Sequence, residues 1–267
     1  MSLPLSQRLL RLAKHPQAAW AFGHLLTAIG LPLYMLFGSV GAYSRALLGA
    51  MLAYGVVLYR HYKPSVLQQG LAPTARRMLH DLNAHYFALA LYFWMSGYPC
   101  VALLVPYASF SLFHCIGYMH SILLPAIFPP ATNPAPAIVS GLSAKASAFS
   151  ATYQPQALQV ASYWEITVTP LYLVMQVLLW RQALLAPLVY AQFMAVRYLT
   201  SATTRSASAN VRRILDSKFE PLAARPDALG SVGSVYIAIR NRIVGYLDAR
   251  MSAAAPAPAP AAGAGAQ

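Results

Sequence analysis

The sequence predicts an all-α protein, a multi-span helical membrane protein of about six spans arranged as three hairpins, with a cytosolic C-terminal amphipathic helix. Three observations predict it. Of 267 residues, 58% are hydrophobic and 9% are charged, whereas a soluble domain carries about 25% charged residues. The apolar residues gather in three blocks of near-equal length, 19–59, 85–128 and 157–199, each about twice the roughly 20 residues that one crossing needs. The basic residues crowd the segments outside these blocks, as lipid requires of charge.

Residues 1–18 form a basic N-terminus carrying Arg8, Arg11 and Lys14. The apolar run behind it is too long for the core of a cleavable signal, and no convincing small-residue cleavage site follows, so the first span is expected to act as an uncleaved anchor. Residues 19–199 read as the transmembrane domain, with spans near 19–38, 43–60, 85–105, 108–128, 159–180 and 183–199. Each block has a turn signal near its middle. These are Gly38-Ser39-Val40-Gly41, then Val105-Pro106-Tyr107, where proline lacks an N–H for the helical ladder, then Trp180-Arg181-Gln182. The third block is the most interrupted, by Glu165, Pro170, Arg181 and Pro187. The Pro-, Ala- and Ser-rich stretch 129–156 reads as an irregular cytosolic linker.

Of the 19 Lys and Arg residues, this scheme leaves only Arg45 and Arg181 on the side of the short turns. The positive-inside rule therefore puts both termini in the cytosol. The net charge of +13 suits an anionic membrane surface. Nucleic acid is disfavoured, because the basic residues flank spans instead of forming a free patch with stacking aromatics.

Residues 200–250 read as a basic cytosolic segment of two helices, with 251–267 a disordered Ala/Pro tail. The first helix is expected over Ala209–Phe219, ended by Pro221. The second is expected over about 231–249, capped by Ser231 behind Gly230. In it Val232, Val235, Tyr236, Ile239, Ile243, Tyr246 and Leu247 recur at three- and four-residue steps, an amphipathic stripe. Two readings of that stripe stand. It lies in the membrane interface with Arg240, Arg242 and Arg250 on anionic headgroups, or it packs on a neighbouring helix.

The remaining polar residues carry little chemistry. His114, Cys115 and His120 do not share a helix face and have no carboxylate nearby, so no metal site is expected. His80 and His85 lack the spacing of desaturase-type histidine boxes. His24 reads as a hydrogen-bonded bundle histidine, and Cys100 and Cys115 as buried thiols. Glu165 is the one acid inside an apolar block. An intramembrane ionisable group is a functional candidate by default. An interfacial or inter-helix structural role is favoured here, since a pair with Arg181 would need the helix to bend. No nucleotide loop, nucleophile elbow or paired catalytic carboxylates are present, so no cofactor and no enzyme activity are expected.

Phe22-Gly23-His24 with the Leu25–Phe37 run, the Val57-Leu58-Tyr59-Arg60 exit and, above all, Gln192-Phe193-Met194-Ala195-Val196-Arg197-Tyr198 carry a resemblance, followed by Thr204-Arg205 and the Asn210–Ile214 helix. Over residues 15–250 the chain resembles the transmembrane protein 33 family, whose fungal members include pore-membrane proteins of the nuclear envelope. The resemblance implies residence in the endoplasmic reticulum and nuclear envelope, the shaping of curved membrane, and support of nuclear pore distribution or assembly. It also implies partners: membrane lipids, nuclear pore or reticulon-type membrane proteins, and a transport receptor. The rival reading is a small membrane transporter or membrane enzyme with a polar site near Glu165 and a span histidine, His24 or His114.

Overall fold

The structure is a computed structural model, and it describes residues 3–129 and 134–254. The described residues are helical almost throughout. The chain divides into two compact units at the Arg197–Tyr198 bond.

The first unit opens with α1 (Leu5–Ala13), then α2 (Pro16–Phe37) and α3 (Val40–Gln69). Local chemistry sets these boundaries. His15 caps α2, its Nδ1 accepting from the Gln17 N–H at 3.2 Å, with Pro16 at the first helical position, where a missing N–H costs nothing. Gly38 ends α2 in the left-handed region (φ 60°), a conformation glycine adopts without a Cβ clash. Ser39 at once caps α3 by accepting from the Ala42 N–H at 3.3 Å. The turn expected at Gly38–Ser39 is therefore present.

Small residues let α2 and α3 pack backbone to backbone. A Cβ added at Gly23 would sit 2.5 Å from the Gly49 carbonyl oxygen, and one at Gly30 would collide with Ala46. Thr27, between them, donates to the carbonyls of Gly23 and Ala46, each at 3.0 Å. Close approach of this kind is how helices associate in lipid, where tails offer no hydrophobic driving force.

Next come α4 (Leu71–Met78), α5 (Leu82–Ser96) and α6 (Val101–Tyr118), which continues through a π-helical turn (Met119–Leu123) into α7 (Leu124–Ile127). Then follow α8 (Ala137–Ile166), α9 (Val168–Leu178) and α10 (Leu185–Thr200). Asp81 caps α5 through the Asn83 N–H at 2.7 Å, and Gly97 (φ 71°) ends it. The core of this unit joins Tyr43, Leu47, Tyr86, Phe93, Leu104, Tyr107, Leu173, Tyr190 and Phe193.

Three expectations need correction here. Among the described residues three helices, not six, are long and apolar enough to cross a bilayer: Pro16–Phe37, Val40–Gln69 and the continuous Val101–Ile127. The six-span, three-hairpin arrangement fails on length, since α5 has 15 residues, α9 has 11 and α10 has 16, and the third block breaks at Thr167. The turn of the second block is not at Pro106, which lies inside α6. It lies at Gly97–Cys100, where glycine's positive φ stops α5. Residues 137–156 are not an irregular linker, because α8 begins at Ala137 and runs unbroken through them, while residues 130–133 of the expected linker lie outside the described residues. The Ala-rich composition favours helix, and Pro136 precedes the first turn, where it is tolerated.

The second unit holds α11 (Ala202–Ala223) and α12 (Ala228–Ala254), packed on each other. Both exceed their expected bounds. Pro221 lies inside α11 instead of following it, and Gly230 and Ser231 lie inside α12. Ser201, not a residue near 209, caps α11 by accepting from the Thr204 N–H at 3.2 Å. The expected tail, 251–267, lies outside the described residues beyond Ala254.

Candidate functional sites: a buried ion pair and a C-terminal helical hairpin

Glu165 sits in the last turn of α8 and is 2% exposed. Its Oε2 accepts from Arg197 Nε at 2.8 Å and its Oε1 from the Tyr86 hydroxyl at 2.9 Å. Tyr190 donates to the Glu165 main-chain carbonyl at 2.8 Å, and Tyr107 to that of Tyr86 at 2.6 Å. Arg197, 8% exposed, lies over the Tyr86 and Phe110 rings, its guanidinium carbon 5.5 and 5.7 Å from their centroids. Tyr54 stacks on the other side of this cluster, 5.2 Å from Tyr86. One carboxylate thus ties α8, α5 and α10 together, and both its oxygens are engaged.

Arg181, the one cation weighed from sequence as a partner for Glu165 and set aside because the helix would have to bend, is not the one it takes. Arg181 lies in the turn after α9, while Arg197 lies 32 residues along on α10, which folds back beside α8. Sequence reading treated Arg197 as a flanking cytosolic charge. The signal that could have found it was local: Arg197 follows Phe193 and Val196, both buried, so it sits on a core-facing stripe.

The histidines behave as bundle residues. His24 Nδ1 lies 2.9 Å from Ser111 Oγ, and its ring lies 4.5 Å from that of His114, with Trp20 edge-on to both. His85 Nε2 lies 2.7 Å from the Leu79 carbonyl. Among the described residues no three His, Cys, Asp or Glu side chains gather where they could hold a metal.

The α11–α12 hairpin divides the predicted stripe in two. Tyr236 and Arg240 face α11. The Tyr236 hydroxyl donates to Asp216 at 2.6 Å, and its ring stacks on Phe219 at 5.0 Å. Arg240 donates to Asp216 at 2.7 Å and pairs with Glu220. Arg240 is therefore engaged within the hairpin, where the sequence placed it on headgroups. By helical spacing the half-buried Leu247 falls on the same side. Gly233 makes this approach possible, since a Cβ there would strike the Ala223 backbone.

The other half of the stripe is bare. Val232, Val235, Ile239, Ile243 and Tyr246 are each about half exposed, and together they line one face of α12. Arg242 is exposed near them, and Arg250 reaches back to the Tyr246 hydroxyl at 2.8 Å. On α11, Leu215 is also exposed. Both the packing and the interfacial alternatives left open by the sequence thus have residues to themselves.

Electrostatics fixes the hairpin's register. The Tyr236 hydroxyl and the Arg240 guanidinium hold the Asp216 carboxyl below the usual carboxylate range. Partial burial, then the bond to Asp216, pushes the Tyr236 phenol up to about 12. Hydrogen bonds to Asp216 and Glu220 raise Arg240 further.

The family model described as Transmembrane protein 33/Nucleoporin POM33 matches residues 6–244. The chain belongs to this family. It is 30% identical to Tetra-spanning protein 1 of Schizosaccharomyces pombe, covering 82% of this chain and 83% of that one. It is 26% identical to the Pore membrane protein of 33 kDa of Saccharomyces cerevisiae, over 94% and 90% of the two chains. It is also 26% identical to Nucleoporin POM33 of Chaetomium thermophilum, over 85% of each. No solved structure matches the chain. Membership makes it a multi-pass membrane protein of the endoplasmic reticulum and nuclear envelope, with a non-enzymatic role. The segments that carried the resemblance now have physical content. Gly23 is the α2–α3 contact, His24 bonds Ser111, and Arg197 holds Glu165.

Proposed function

We propose that this protein shapes and scaffolds curved membrane of the endoplasmic reticulum and nuclear envelope, and supports nuclear pore distribution or assembly, through its C-terminal hairpin. The bare face of α12 carries the reading. Five apolar side chains in register on a surface helix, with Arg242 and Arg250 beside them, suit insertion at the boundary of headgroups and acyl chains. Insertion from the cytosolic side adds volume to that leaflet alone, which favours positive curvature. The names of two relatives, a pore membrane protein and a nucleoporin, support the link to the pore. Reticulon-type membrane proteins and a transport receptor remain the partners this reading names.

Both termini are assigned to the cytosol. That requires an even number of crossings, and the name of the fission-yeast relative suggests four. We assign them to α2, α3, α5 and α6. At about 22 Å, α5 would be a short span that thins the bilayer locally. The α8–α10 region would then enter and return from the cytosolic side.

Two observations favour a scaffold over a transporter. Glu165 has both oxygens bonded to fixed protein donors, and the pair is flanked by tyrosines that donate elsewhere in the bundle.

Flotation of the fragment 198–254 with vesicles tests the proposal. The expected result is binding to phosphatidylserine-containing vesicles, stronger for small ones, and its loss in Val235→Asp/Ile239→Asp. Equal recovery of parent and double variant with the vesicles would refute it.

A further inference from the structure

A cleft of about 460 Å³ opens between α2 and α3, lined by Gln17, Trp20, Val56, Val57, Arg60 and His61. It lies at a definite depth. Gln17 is twenty residues before Phe37, and Arg60 is twenty beyond Val40. At 1.5 Å per residue both stand about 30 Å from the Gly38–Ser39 turn, the thickness of a bilayer's hydrocarbon core. The cleft therefore sits at the interface opposite that turn, the side where the basic residues gather.

Its chemistry is one-sided. The Gln17 amide, the Trp20 indole N–H, the Arg60 guanidinium and the His61 ring make no hydrogen bond to any described residue. None of the chain's six acids lines the cleft, and Arg60 takes part in no ion pair among the described residues. The other chain neighbours of this interface are engaged: Lys63 lies over the Tyr59 ring, and Asp81 accepts from Tyr62. Toward the bilayer centre the wall is Val56 and Val57. Donors and a cation at headgroup level above a branched apolar wall complement one kind of molecule, an acceptor-bearing anion on an acyl chain.

We propose that this cleft holds one anionic glycerophospholipid of the cytosolic leaflet. Arg60 takes the phosphate, with Gln17 and the Trp20 indole as further donors, and the acyl chain lies along Val56 and Val57. An arginine fork suits phosphate oxygens in two-point contact. The site is separate from the C-terminal hairpin and does not depend on that reading. Here the ligand would be an annular lipid made stoichiometric, fixed in the groove of the hairpin that Gly23 and Gly49 hold closed.

The test is native mass spectrometry of the full-length protein in detergent, titrated with phosphatidylserine or phosphatidylcholine. One retained phosphatidylserine is expected, with weaker retention of phosphatidylcholine. Arg60→Gln should lower its retention about tenfold, the loss of roughly one charge-assisted hydrogen bond. Gln17→Ala should lower it less, and supplies the answer if Arg60→Gln fails to fold. Arg45→Gln, whose parent side chain bonds the Gly41 carbonyl at 3.0 Å at the other end of α3, should leave retention unchanged. Retention equal in Arg60→Gln and Arg45→Gln would overturn the proposal. So would the absence of a retained lipid, or displacement of the lipid by millimolar inorganic phosphate, which would mark a bare anion site.

Discussion

Replacing Arg197 with Met tests the buried pair most directly. The methionine fills much of the arginine stem's volume and keeps contact with Tyr86 and Phe110, so little packing is lost. What changes is Glu165. Its carboxylate, 2% exposed, keeps one donor, the Tyr86 hydroxyl, and loses its cationic partner. Removing one member of a buried pair costs about 3–5 kcal/mol, because an uncompensated charge stays behind. On the scale of soluble domains of this length, about 1 kcal/mol moves the melting temperature by some 2–4 °C. Arg197→Met should therefore melt roughly 10 °C below the parent in a detergent thermal-shift assay. Glu165→Gln leaves Arg197 uncompensated and should be destabilised by a comparable amount. The double variant removes both charges together, and a neutral pair of similar shape is often as stable as the ion pair. It should recover at least half of the summed loss, giving a coupling of about 3 kcal/mol or more in a double-mutant cycle. Additive losses would refute the reasoning, as would a single variant that melts with the parent. A transporter built on Glu165 differs from this only in activity, since its double variant would be as stable but inactive.

Other consequences are quickly checked. Gly49→Leu should separate α2 from α3, since even a Cβ there meets the Gly23 carbonyl oxygen at 2.5 Å. A sharp fall in monodisperse yield is expected, with Gly41→Leu, where a Cβ has room, as the tolerant control. In the fragment 198–254, hairpin stability should be flat across neutral pH and fall at both extremes. Asp216 has a lowered pKa, so its contribution is complete above the unfolded carboxylate value near 4 and is lost as pH falls through the lower folded value. Tyr236 has a raised pKa, so its contribution is complete below the unfolded phenol value near 10 and is lost as pH rises through about 12. Circular-dichroism melts across pH would show this, and Asp216→Asn should flatten the acid limb. Glycosylation acceptors inserted at Ser39 and Tyr98 should be modified and one at Ala224 should not. Modification at Ala224 would place the C-terminus in the lumen.

Much of this was legible in the sequence because it rests on local chemistry. Membrane residence follows from composition. The Gly38–Ser39 turn follows from residues that break and cap helices where they stand, the Trp180–Gln182 turn from polar residues interrupting an apolar block, and α12 from a stripe at helical spacing. The failures share a cause. Pro106 reads as a breaker, yet it sits inside α6, where the Ala102 carbonyl that its missing N–H leaves free accepts instead from Trp164 Nε1 at 2.8 Å and Thr169 Oγ1 at 3.3 Å. Stretch 129–156 reads as loop because its prolines stand out, but four of the five precede Ala137, and the alanines after it build a helix that carries Pro155 inside it. The six-span count assumed that apolar length becomes crossing length, whereas the third block spends its residues on a break at Thr167 and a turn at 179–184.

The site residues divide the same way. Which residues recur at helical spacing on α12 is a one-dimensional fact, and periodicity reads it. Which of them are free is a two-helix fact, decided by acids on α11 that lie twenty and more positions away. Asp216 and Glu220 claim Arg240, and Phe219 claims Tyr236, so the bare face narrows to Val232, Val235, Ile239, Ile243 and Tyr246. The same distance hid the partner of Glu165. A single buried acid demands a cation, but periodicity alone cannot say which of two arginines the chain will bring to it. The fold chose Arg197 because the chain returns so that α10 side chains meet Glu165 at the end of α8, with Phe193 and Tyr190 packed into the same core. If that return is what positions Arg197, then Phe193→Ala should weaken the pair without touching either charge. It should lower the coupling measured between Glu165 and Arg197 as well as the melting temperature. A Phe193→Ala background that keeps the full coupling would show the pair to be positioned by the helix backbone alone.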